Sequence, residues 1–198
     1  MRTFLLLILT GFFAINVSGQ VSFSSVDSKL KTQKVNDLTE LICTSPTISI
    51  EFQLKHNVVI TQHKNFVTVD SQVIQIIPLK YSNNKTDSFE QNINYQKQLL
   101  DAYSKYEIDY FKNELGVTVI NLNSQWVVTK SKGWFIWYFK VGNIPEQVYK
   151  KTRIQLFAST FIGDNILIIN APIFTDGDFT KAGLIVNDMM ETLTILKQ

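Results

Sequence analysis

The chain has 198 residues, 45% of them hydrophobic, with 19 Lys and Arg set against 17 Asp and Glu. A net charge of +2 is too small to hold nucleic acid or an anionic membrane by charge alone, and the apolar content excludes a disordered chain. The lone cysteine, Cys43, excludes an intramolecular disulfide, so stability has to come from packing.

The first residues read as a secretory signal peptide. Arg2 supplies the positive end, residues 4–9 an apolar run, and Val17 and Gly19 the small side chains at a cleavage site after Gly19. The run is shorter than the roughly 20 residues that cross a bilayer, so the expectation is export, periplasmic or secreted, with no stable membrane span after cleavage. Loss of Arg2 lowers the net charge from +2 by one.

Residues 20–46 are Ser, Lys and Gln rich and read as a flexible lead-in, with a short helical turn after an Asn36 cap. Within it, Cys43 beside Leu41 and Ile42 reads as a small buried hydrophobe, the alternative being a cross-link between two chains. Residues 47–198 read as a single α+β domain. Ile48, Ile50, Phe52 and Leu54 alternate with polar residues, and three more strand-like runs, 58–60, 66–69 and 73–79, follow across turns at 63–65 and 70–71. These four make an antiparallel meander.

After a polar connection over 81–87, a helix is expected from a Ser88 cap, with Gln91 completing a capping box, to Leu115 and a stop at Gly116. Phe89, Ile93, Leu100, Tyr103 and Phe111 mark its buried face. Strands follow at 117–122, 125–130, 134–141 and 153–162, and a tight turn at 163–165 leads into a last strand ending before Pro172. A second helix runs from Phe179 to about Leu196, with Asp188 and Glu191 on its wet side and Leu184 and Ile195 as an apolar spot there.

Residues 134–139, Trp-Phe-Ile-Trp-Tyr-Phe, are apolar on both sides of a strand, so this strand needs cover on both faces. Two helices on opposite faces supply it. The expected fold is an antiparallel β-sheet between two long helices, an α/β/α sandwich with 134–139 as its central strand. The alternative is a curved sheet around one helix, in the cystatin or nuclear-transport-factor style.

A strand meander, a long helix, a second meander closing through Gly163-Asp164-Asn165 into a strand that ends in Ala171-Pro172, and a helix opening on Phe179 together resemble the PsbP-like superfamily. That superfamily includes the photosystem II extrinsic subunit and the Ran-release factor. The resemblance covers residues 47–196 and implies a non-enzymatic accessory or interaction role; it assigns no site residue.

No Gly-x-Ser-x-Gly, phosphate loop or His-Glu-x-x-His occurs, and a nucleophile would have only His56 and His63 to draw on as base. The expectation is therefore no enzyme, no cofactor and no metal. His56 and His63 read as surface residues rather than zinc ligands. Asp164, Asp176 and Asp178 read as turn and cap residues rather than calcium ligands. Asn84-Lys85-Thr86 is a glycosylation sequon.

Glu107 is a carboxylate candidate, read as standing at the edge of the helix face, the alternative being a buried acid with a raised pKa. Trp134 and Tyr138 share one strand face with Lys140 and read as core under the second helix; the alternative, a groove between helix and sheet, makes them with Trp126 the candidate binding residues. Trp137 shares the other face with Phe135 and Phe139 and reads as core. The expected role is an exported, non-catalytic interaction or assembly protein whose partner is another protein. The alternative is a binder of a small apolar ligand or peptide in a groove between helix and sheet; nucleic acid is excluded.

Overall fold

The computed structural model describes residues 21–83, 93–129, 132–142 and 152–196. The expected signal peptide, the expected Ser88–Gln91 capping box, Phe89 and the sequon lie outside the described residues.

The fold is α+β. A large antiparallel sheet runs β5 (Val58–Ile60), β6 (Phe66–Val69), β7 (Gln72–Asn83), β11 (Asn165–Phe174), β10 (Thr152–Ile162), β9 (Lys132–Gly142) and β8 (Thr118–Thr129), with β1 (Val21–Ser25) paired to the end of β7. Side-chain alternation then sorts residues to two faces. Phe135, Trp137 and Phe139 pack with Leu100, Tyr103 and Phe111 of helix α1 (Ile93–Asn113), whereas Trp134, Ile136 and Tyr138 pack with Ile185, Val186 and Met189 of helix α2 (Phe179–Thr192). The two helices therefore cover opposite faces, as the doubly apolar strand requires.

Residues 21–46 are not a loose lead-in. After β1 come β2 (Lys29–Val35) and β3 (Leu38–Thr44), which with β4 (Ser49–Leu54) and β12 (Thr194–Ile195) make a second sheet in the order β12-β4-β3-β2. Asn36 is not a helix cap: it takes φ 55° in the two-residue turn between β2 and β3. Thr39, Leu41 and Cys43 alternate inward there, so Cys43 is a buried hydrophobe and no surface thiol.

This second sheet also breaks the expected meander. β4 leaves the main sheet and packs Ile50, Phe52 and Leu54 over the α2 face, together with α2 itself. The turn at Asp70-Ser71, with φ 46° and 71°, still joins β6 to β7 as a tight hairpin.

Four boundaries differ from expectation for local reasons. Thr118–Thr129 is one strand where two are expected, because Asn121 (φ 51°) forms a bulge: Ile120 pairs with Lys140 and Asn123 with Tyr138, leaving two residues opposite Phe139. β7 runs on through residues 81–83, which pair with β1. β11 continues through Pro172, since its pairing with β7 stops at Asn170 and no ladder needs the missing N–H on that side. Finally, α2 ends at Thr192, and Thr194-Ile195 pairs with β4 instead of continuing the helix.

β9 is also one strand in from the edge, not central; β7, β11 and β10 hold the middle. Both helix ends are capped as the sequence suggests. Asp178 accepts from the N–H of Thr180 (2.8 Å) and Lys181 (3.2 Å). Gly116 (φ 64°) ends α1, with the N–H of Val117 donating to the carbonyl of Phe111 at 3.0 Å.

Candidate interaction edge

β8 closes one side of the large sheet, and among the described residues its only strand partner is β9. Its twelve residues include no Asp, Glu, Lys or Arg. Ile120, Leu122 and Val128 are 43, 49 and 60% exposed. The bulge at Asn121 splits the strand, leaving residues 123–129 in regular register with β9.

What holds β8 in place is Trp126. It stands opposite Phe135, on the α1 face, and its indole lies across Gly133 so closely that a Cβ there would be 1.9 Å from Cζ2. Lys97 of α1 sits 5.3 Å from the indole centroid, a cation–π contact that closes the stack from above. Among the described residues the strand is thus fixed on its inner side and has no strand paired along its outer backbone edge.

The other candidate residues do not join it. Trp134 is wholly buried on the opposite face, within the α2 core. Tyr138 shares that face, half-buried, with the ring of Phe179 5.0 Å away. The space between helix and sheet is therefore filled at Trp134 and roofed at Tyr138. An open groove of about 550 Å³ lies elsewhere, lined by Lys80, Ile162, Asp164, Asn165 and Ile195 at the β10–β11 turn.

Glu107 is not at the edge of the α1 face. It is 3% exposed, and its Oε1 accepts a hydrogen bond from the Tyr103 hydroxyl at 2.7 Å. Tyr103, Glu107 and Phe111 are spaced four apart and form one inward line, which outweighs the drift set by Ile108 and Leu115; Ile93, counted inward from sequence, is exposed. Burial pushes the Glu107 carboxyl up to about 7, partly offset by the Tyr103 bond, and burial beside that carboxylate pushes the Tyr103 phenol well above its usual value. Glu107 Oε2, Trp126 Nε1, Trp137 Nε1 and Ser159 Oγ are all buried on this side without a hydrogen-bond partner among the described residues.

The sequence matches no family model and no curated protein. The structure is similar to the solution structure of cyanobacterial PsbP (CyanoP) from Synechocystis sp. PCC 6803, at 9% identity and a TM-score of 0.42, covering 95% of this chain and 99% of that one.

One cluster was not legible in the sequence. His56 lies between two carboxylates, Nδ1 2.6 Å from Asp70 Oδ2 and Nε2 3.0 Å from Asp188 Oδ2. Burial works against the charged ring, yet the hydrogen bonds and charges of Asp188 and Asp70 outweigh it and set the His56 pKa above its ordinary value. The same bond, with one from the Asn57 N–H at 2.9 Å, holds the Asp70 carboxyl below its usual value. The three residues are 14 and 132 positions apart, so no local spacing signals them. His63 stands apart, edge-on to Phe66. Asp178 caps α2 and Asp164 lines the groove, in separate places. Burial pushes the Cys43 thiol up to about 11, against a lowering hydrogen bond from Ser28.

Proposed function

We propose that this chain is an exported, non-catalytic interaction protein that takes an extended segment of another protein along β8. One observation carries the reading: a twelve-residue edge strand without a charged side chain, exposing three aliphatic residues. Such an edge offers unpaired backbone donors and acceptors to an added strand, and side chains on alternate positions give the pairing its specificity. The export half of the proposal rests on the layout of residues 2–19.

Leu122→Lys and Val128→Lys place charges on the exposed side of β8 without entering the core. Native purification of the wild-type chain is expected to bring down a defined protein whose recovery falls at least tenfold with either variant, at unchanged thermal stability. Equal recovery with wild type and variants, or a wild-type chain isolated alone, overturns the proposal.

A further inference from the structure

His56 stands where three parts of the chain meet: its own β4–β5 connection, the β6–β7 turn through Asp70, and α2 through Asp188. A neutral imidazole has one N–H and one lone pair, whereas both ring nitrogens here face an aspartate oxygen at hydrogen-bond distance. Only the imidazolium donates to both. We propose that His56 is a proton-operated latch that fastens α2 to the β6–β7 turn when charged and releases the Asp188 side when neutral.

The direction of release follows from the partners. Asp70 is held independently: its Oδ1 accepts from the Asn57 N–H at 2.9 Å, and its carbonyl accepts from Lys181 Nζ at 2.6 Å. Asp188 has no other side-chain hydrogen bond among the described residues. On losing one proton the ring therefore keeps Nδ1–H on Asp70 and turns its Nε2 lone pair toward the Asp188 carboxylate, which repels it. Lys181, two turns earlier on α2, still ties the start of that helix, so the loosening falls on its second half and on β12.

The remaining charges around the ring are few. Lys55 adjoins it in the chain. From β2, Lys34 Nζ donates to Thr39 Oγ1 (2.7 Å), and that hydroxyl donates to the His56 carbonyl (2.9 Å). Neither lysine meets the imidazole nitrogens, so Asp70 and Asp188 set the switch. Because the folded value of His56 is raised, the latch is fully closed below the ordinary imidazole range and opens as pH rises through that raised value.

The test uses the full chain between pH 5 and 9, with the His56 ring followed by NMR and the amides of residues 185–196 by hydrogen exchange corrected for its intrinsic pH dependence. Protection of these amides should fall about three- to tenfold, the scale of one partly exposed charge-assisted hydrogen bond, with the midpoint of the ring titration. In Asp188→Asn the ring midpoint should drop and the step disappear. His56→Gln should sit at the open level at every pH. Level protection across the wild-type titration, or a step that persists in Asp188→Asn, overturns the latch.

Discussion

Two long strands end the two sheets, and they are built in opposite ways. β2 carries Lys29, Lys31 and Lys34 along the edge of the smaller sheet, where an approaching second copy would meet like charge. β8 is longer, has no charge, and turns Ile120, Leu122 and Val128 outward. Only the bulge at Asn121 interrupts it. The contrast teaches that the chain deters pairing at one edge and leaves the other able to pair, which is the physical content of the proposed function. The two flanks also rest on different supports: β8 on α1, whose inner face holds Glu107, and β2 on the aliphatic core under α2.

The largest expected effect lies in the support of β8. With its pKa pushed by burial to about 7 from an ordinary value of 4.5, Glu107 keeps its proton better in the folded chain than in the unfolded one. Its contribution to stability is full below pH 4.5 and is lost as pH rises through about 7, a change on the order of 3 kcal/mol. Glu107→Gln keeps an acceptor for Tyr103 and cannot ionise. Denaturant unfolding at pH 4 and pH 8 should show the variant gaining about that much on wild type between the two; equal pH slopes would remove Glu107 as the source.

Next comes the seat of Trp126. Gly133→Val sets a Cβ 1.9 Å from the indole, so the ring has to leave its place or β8 has to shift, at a cost of about 1–3 kcal/mol in thermal unfolding. A change within 0.5 kcal/mol would mean that Trp126 does not hold the edge.

The smallest effect on stability belongs to β2. Lys29→Val with Lys31→Val should change unfolding by less than about 0.5 kcal/mol, because both side chains are exposed. It should nonetheless give β2 the character of β8, seen as concentration-dependent association in light scattering. A variant as dispersed as the parent would break the comparison of edges.

Much of the main sheet could be read from period and punctuation. Trp134 and Trp137 fall on opposite faces because strand neighbours alternate, and Asp178 and Gly116 mark helix ends through local chemistry. The misses share a cause in pairing across distance. β2 looked like a flexible segment because an exposed edge strand has no apolar period of its own; its order comes from β3. Asn121 resembled a turn because bulges and turns both use a left-handed Asn. Counting apolar neighbours puts Glu107 at an edge, although Tyr103 four residues earlier offers it a buried donor. His56 could not be read at all, since Asp188 reaches it only through the packing of α2.

Hydrogen exchange on the chain alone and in the proposed complex tests the central claim most directly. The account predicts added protection along residues 123–129 of β8, on the amides that do not bond β9, with β2 unchanged. Protection that appears on β2 instead, or a complex that leaves β8 exchanging as it does in the free chain, would contradict it.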